Sequence, residues 1–410
     1  MISGDGLPLE PAAPVAGPVD LIEDDEQALE TAARLAAGFA AGASERDRVR
    51  RLPWDELELF SRSGLWGITV PREFGGAGVS TVTLARVVSL LSAGDSSLAQ
   101  IPQNHFYALE VLRVGATEPQ KRFFYDKVLR GERFGNALAE IGHKDFKRRT
   151  RLEGGPGARE LRISGDKFYC TGAIYAHWIP TMVADGQGVT HLAFVPRQAK
   201  GVTVIDDWDG FGQRVTGSGS VRFDAVRVEA DWVVPFQASL DTPTTIGPVA
   251  QIMHAAIDLG IARAAFDETL RFVRAHARPW IDAGVERAGD DPLTLERIGD
   301  VDVRLRAAEA LLWRAGRIVD AAQSARDERT VAAASVAVAE ARVLTTEVAL
   351  AASSRLLELG GSGATLAEFN LDRFWRNART HTLHDPVRWK FHAIGNYYLN
   401  DALPPRHGAL

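Results

Sequence analysis

The 410-residue chain carries 47 Lys and Arg against 53 Asp and Glu, a net charge of −6, which leaves no basic footprint for nucleic acid or an anionic membrane surface. Its single cysteine, Cys170, excludes an intrachain disulfide framework and a cysteine-rich metal site, and no other metal cluster is expected. With 46% apolar and 24% charged residues it has an ordinary globular composition, and its length predicts more than one structural unit.

Residues 1–20 are rich in Pro, Gly and Ala and lack both a basic n-region and an apolar h-region. They read as a disordered leader, and the chain as cytoplasmic. No stretch reads as the roughly 20 apolar residues of a membrane span.

From 21 to 130 the pattern is helical. Leu29, Ala33, Ala36 and Ala40 recur at spacings of three and four, so they are expected on one buried helix face. Pro53 opens a segment filled by Trp54, Leu57, Leu59 and Phe60, as proline at a helix start allows. Segments 81–92 and 106–114 read as core helices. From 131 to 240 the period changes to two. Residues 160–164, 189–195 and 220–224 alternate apolar and polar, with turn formers at 154–157 and 185–188, which predicts a small antiparallel β unit. Cys170 falls in an apolar, strand-like run and reads as a small buried residue.

From 241 to 410 the chain is helical again. Ile252, Leu259, Phe266 and Val273 repeat every seven residues, and Ile298, Val301, Leu305, Ala308, Leu312, Ala315 and Val319 form an unbroken series. Ala341, Leu344 and Val348 mark a third helix, stopped at Gly360-Gly361. Such long helices suggest a four-helix bundle. Helices, strands, then helices define an α+β class with separated units.

The stretch 371–390, LDRFWRNARTHTLHDPVRWK, is dense in Arg, His and Asp with few apolar residues. His384 precedes Asp385-Pro386, and residues before proline avoid the α region, so His384 is expected at a helix end or turn. From the residues alone this is equally a charge-rich connector.

Together with the upstream GGSGA (360–364), this stretch resembles the C-terminal signature of the acyl-CoA dehydrogenase superfamily, a glycine-rich turn followed by an RDAR-like segment and a catalytic Glu. Here the segment is Arg376-Asn377-Ala378-Arg379, and the Glu position falls on Asp385. Asp is one methylene shorter and is followed by Pro386, which displaces a base that must reach its proton. The run RNARTHTLHDP is most similar to the flavin-dependent monooxygenase branch, which serves organosulfur metabolism. Residues 65–78 resemble the loop of the family's N-terminal helical domain, 161–173 its strand beside the flavin, and 208–226 a further β segment.

The resemblance covers about 350 residues in the family's order. It implies an acyl-CoA dehydrogenase-like fold with an N-terminal helical domain, a central antiparallel β-barrel, a C-terminal four-helix bundle, and a homotetramer. It implies reduced flavin, FMN with FAD possible, supplied by a separate NAD(P)H:flavin reductase, and a C4a-hydroperoxide formed with O2. His384 is then expected to protonate or hold that peroxide, with Thr171 and Asn136 positioning it.

Asn136, Tyr169 and Thr171 are expected beside the ring, Arg278 on the cofactor phosphate, Gly361 and Gly363 at a close backbone approach, and His105 and Tyr107 in the substrate pocket. Each also has a plain structural reading: a turn asparagine, strand residues, an exposed arginine, a core histidine. Gly142-His143-Lys144-Asp145 replaces the family's AGSD and argues against a CoA thioester. The alternatives are a dehydrogenase using Asp385 as base and a member of the fold without activity.

Overall fold

The computed structural model describes residues 15, 17–145, 147–154 and 157–410; most of the leader expected over 1–20, and Gly155 and Pro156 of the expected turn, lie outside the described residues. Five helices come first: α1 (Asp25–Val49), α2 (Trp54–Arg62), α3 (Thr81–Gly94), α4 (Ser96–Gly115) and α5 (Glu118–Leu129). Seven strands follow: β1 (Arg151–Glu153), β2 (Glu160–Lys167), β3 (Trp178–Ala184), β4 (Thr190–Pro196), β5 (Val202–Ile205), β6 (Ser220–Glu229) and β7 (Val233–Val234). The chain then returns to helix: α6 (Phe236–Asp241), α7 (Ile246–His276), α8 (Pro292–Ser324), α9 (Glu328–Gly360), α10 (Asp372–His381) and α11 (Arg388–Asn400).

The strands form one sheet in the order β5-β6-β2-β1-β3-β4-β7. All pairings are antiparallel except β1 with β3, which run parallel through Arg151 and Ala184. β4 and β6 stand four strands apart, about 19 Å in a flat sheet at 4.8 Å per strand. They nevertheless come into contact. The sheet therefore rolls back on itself toward the expected barrel, although no ladder joins β5 to β7 among the described residues. β3 carries no alternation because all seven of its residues are buried.

One expectation about the N-terminal helices changes. In α1 the buried stripe is Ala28, Ala32, Leu35, Ala36 and Phe39. The face is thus rotated by about one residue from the one expected, because small alanines on both sides leave the larger Leu35 and Phe39 to decide which side packs. In the bundle, α7, α8 and α9 are accompanied by α3 from the N-terminal region, which packs on both α7 and α8. A Cβ at Gly260 would lie 2.5 Å from the Ser89 carbonyl oxygen, and one at Gly316 3.0 Å from the Val82 Cα. Those two glycines let α3 approach so closely, and Ser92 Oγ donates to the Ile257 carbonyl at 2.7 Å along the same seam.

The series expected on α8 is buried from Val301 through Val319. α7, contrary to expectation, is long and apolar enough to cross a membrane by composition, with a mean hydropathy of 1.2. Of that window 89% is buried inside the protein, as a central bundle helix requires.

Candidate active site

A cavity of about 620 Å³ opens where α4, the β-sheet loops, α7 and the α10–α11 turn converge. That lies within the roughly 300–1,000 Å³ of small-molecule sites. α4 contributes Gln100, Gln103, Asn104 and Tyr107, spaced three, four and seven along a helix buried from Ser96 to Leu112, so a polar stripe faces the space.

The structure brings together five of the residues singled out from sequence: Asn136, Thr171, Tyr169, Tyr107 and His384 all line this cavity. Asn136 is buried between Gly135 and Ala137, whose N–H groups donate to the carbonyls of Trp178 and Pro180 at 3.0 and 2.9 Å. Its own Oδ1 has no partner among the described residues. Thr171 Oγ1 lies 2.7 Å from Ser218 Oγ, which is 2.7 Å from Thr216 Oγ1, a short hydroxyl chain beneath the cavity. Tyr169 sits at φ 67°, a left-handed conformation costly for an aromatic residue, and is 51% exposed. Its ring meets Trp208 edge-on at 6.3 Å.

His384 occupies the turn between α10 and α11, as the following Asp-Pro required, and its N–H donates to the His381 carbonyl at 3.1 Å. Its side chain is 49% exposed, while Asp385 beside it is buried. Asp385 Oδ2 lies 3.0 Å from Nζ of the equally buried Lys390. Burial would raise the Asp385 carboxyl, but His384 beside it and the charges of Arg342 and Lys390 outweigh that and hold it far below the usual carboxylate range.

Four expected residues lie elsewhere. His105 does not line the cavity. Its Nε2 is 2.9 Å from the Trp66 carbonyl oxygen and its Nδ1 accepts from the Phe134 N–H at 3.0 Å. Both nitrogens are spent pinning α4 to the helix and strand regions beside it, and burial pushes the imidazole down to about 3. Arg278 is exposed just beyond α7, and Gly361 and Gly363 are exposed at the end of α9; none of the three lines the cavity. Gly361 has φ 64°, so the turn there does need glycine.

The sequence reading placed no site residue on α7. Gln251 and His254 line the cavity, and Asp258 continues the same face one turn further. His254 Nδ1 lies 3.1 Å from His381 Nε2, and His381 Nδ1 2.5 Å from Asp258 Oδ1. Arg342 pairs with Asp258 Oδ2, to which Thr346 Oγ1 also donates at 3.0 Å. A signal was present: three polar residues spaced three and four apart in the otherwise apolar first half of the helix, residues 246–262. A further wall comes from the last residues, since Lys390 Nζ also donates to Gln251 Oε1 at 3.0 Å and to the Ala409 carbonyl, while Gln251 Nε2 donates to the Gly408 carbonyl at 2.8 Å.

Residues 22–132 match the N-terminal domain and 252–389 the C-terminal domain of acyl-CoA dehydrogenase. The dibenzothiophene monooxygenase of Rhodococcus erythropolis is 32% identical over 97% of this chain and 99% of its own length. The chain belongs to the acyl-CoA dehydrogenase superfamily. Within the superfamily it falls in the branch of dibenzothiophene and FMNH2-dependent monooxygenases. The probable FMNH2-dependent monooxygenase SfnC of Pseudomonas putida is 33% identical over 92% of this chain and 96% of its own. The crystal structure of TdsC from Paenibacillus sp. A11-2 with FMN and indole superposes at a TM-score of 0.89, with 31% identity over 94% of this chain and all of that one.

The cavity suits the flavin these superfamily relatives carry. Gln100 Oε1, Gln103 Oε1, Asn136 Oδ1, Thr380 Oγ1 and both amide atoms of Gln213 are buried without hydrogen-bond partners among the described residues, and all belong to cavity-lining side chains. Buried polar atoms are normally satisfied, so donors and acceptors of this number fit the heteroatom edge of a flavin and a polar substrate.

Proposed function

We propose that this chain is a cytoplasmic FMNH2-dependent monooxygenase that oxygenates a small organosulfur compound. It takes reduced FMN from a separate NAD(P)H:flavin reductase and works as a homotetramer. Bound reduced FMN supplies the electrons and the centre at which O2 is activated. Asn136 and the Thr171–Ser218 hydroxyls would offer hydrogen bonds to it, Tyr169 and Trp208 would shield it from solvent, and Tyr107 would bound the substrate side. Arg278, with Gly361 and Gly363, receives the cofactor phosphate across a subunit boundary, which accounts for their exposure within one chain.

The observation that carries the reading is the contrast between adjacent residues. Asp385, at the position of a dehydrogenase base, is buried and ion-paired to Lys390, and His384, Arg342 and Lys390 hold its carboxyl below the usual carboxylate range, which suits it poorly to abstract a carbon-bound proton. His384 lines the same cavity beside it with a half-exposed imidazole that no lysine pairs, and can hold or donate a proton to the reacting oxygen.

Protein supplied with FMN, NAD(P)H, a flavin reductase and O2 is expected to oxygenate members of a panel of thiophenes, sulfones and sulfinates. It is expected to leave CoA thioesters untouched with an artificial electron acceptor. His384→Ala should lower product formation about 10²–10⁴-fold and divert oxygen to hydrogen peroxide. A coupled His384→Ala enzyme, or CoA-thioester oxidation, overturns the reading. Arg278→Ala should weaken FMN binding by about 1.5–3 kcal/mol, and Arg278→Lys should restore part of it, since lysine lacks the planar fork. Light scattering is expected to give four subunits.

A further inference from the structure

The first half of α7, residues 246–262, is almost wholly apolar and buried, yet it carries two ionisable side chains, His254 and Asp258, both with at most 1% exposure. The flavin site accounts for neither. Their hydrogen bonds run in one direction. Asp258 is ion-paired with the buried Arg342 and is an acceptor, so His381 Nδ1 must donate to it. His381 Nε2 is then a lone pair, and His254 Nδ1 must donate to that in turn. The network thus assigns both tautomers and leaves Nε2 of His254 as an acceptor with no hydrogen bond among the described residues, on a side chain that lines the cavity. The His384 ring lies against that same imidazole, 4.0 Å between centroids. Burial, and the neighbouring His384, His381 and Arg342, push the His254 imidazole well down, against which Asp385 acts only partly. Burial, Arg342 and His384 act likewise on His381.

We propose that His254 is a further ligand-contacting residue whose Nε2 is fixed as a hydrogen-bond acceptor by a buried relay of His381, Asp258 and Arg342, so that the cavity selects ligands presenting an N–H or O–H donor beside His384. His381 and Asp258 are positioning residues in this scheme. A ligand with only lone pairs at that point meets another lone pair. Among the organosulfur compounds proposed above, those with an N–H or O–H donor near the reacting sulfur are bound most tightly, and those without one still enter. The inference rests on the flavin-site reading above.

The test uses a pair of probes differing in one donor, indole and 1-methylindole, titrated calorimetrically into FMN-saturated protein after FMN affinity has been measured by fluorescence. Wild type is expected to bind indole about tenfold more tightly, one hydrogen bond's worth. His254→Leu should erase the preference with FMN affinity intact. His254→Gln, which returns an acceptor at similar reach, should restore it. His381→Leu should reduce it by releasing the tautomer, a change that packing alone does not predict. Equal binding of both probes by wild type, failure of both to bind, or an unchanged preference in His254→Leu overturns the inference while leaving the FMN site standing. Absence of FMN binding overturns the flavin-site reading itself.

Discussion

Two fully buried helix histidines in this protein have opposite surroundings. His105 on α4 is held at both nitrogens by backbone groups, the Trp66 carbonyl and the Phe134 amide. His254 on α7 is held at one nitrogen by another side chain, and that chain continues to a buried ion pair. Backbone partners belong to the fold and cannot change protonation, so His105 acts as a fastener between layers. Side-chain partners can shift a proton or a tautomer, so the His254 cluster can respond to what enters the cavity. Burial and residue type are the same in both; the nature of the partners separates structure from function.

The contrast breaks most visibly at the far end of the relay. Arg342→Met should cost about 3–5 kcal/mol in denaturant unfolding, because the Asp258 carboxylate is left buried without its cation. A loss below 1 kcal/mol would mean that His381 takes over the charge. At the fastener, His105→Gln keeps a donor for the Trp66 carbonyl but loses the acceptor for the Phe134 N–H, which should cost about 1–3 kcal/mol. FMN binding should be unaffected; His254→Leu, which leaves the buried His381 Nε2 without its donor, should cost a similar amount of stability, about 1–3 kcal/mol.

Acid sharpens the same distinction. Folding lowers the His105 imidazole from an ordinary 6.5 to about 3, so between those values the unfolded chain binds the extra proton and the native chain does not. Its stability contribution is therefore fully present above pH 6.5 and is lost as pH falls toward 3. His254 and His381 shift in the same direction. Unfolding free energies measured across that window should fall with acidification, and His105→Gln should flatten the slope by at most about 1.4 kcal/mol per pH unit, one proton's share. An unchanged slope would mean that His105 is already accessible to protons.

The order of helices, strands and helices was legible because amphipathic periods report directly on which side is buried. Asn136, Thr171 and His384 were legible only through resemblance, since Asn after Gly or Thr in a strand has no chemistry until the chain folds around it. Two kinds of feature were hidden. α1 and β3 gave misleading or no periodicity, one through excess alanine and the other through burial on both faces. The relay was hidden because His254, Arg342 and His381 are distant in sequence and meet only where α7, α9 and α10 cross. His105 was assigned to the pocket on its neighbourhood with Tyr107, yet two residues along a helix point about 200° apart. Tyr107 faces the cavity and His105 faces away.

The wall built from Gly408 and Ala409 bears on how such an enzyme could diverge. Lys390 and Gln251 hold this segment by its carbonyl groups, so its side chains are free to vary without loosening it. A Cβ at Gly408 would meet only the Tyr107 hydroxyl, at an ordinary contact distance of 3.7 Å. Gly408→Ala should thus leave melting unchanged while trimming the chamber by one methyl group, disfavouring the bulkiest ligands first. Substrate range can drift here in small steps, without disturbing the bundle or the relay. Selection on a new substrate would find its first tolerated changes at this rim.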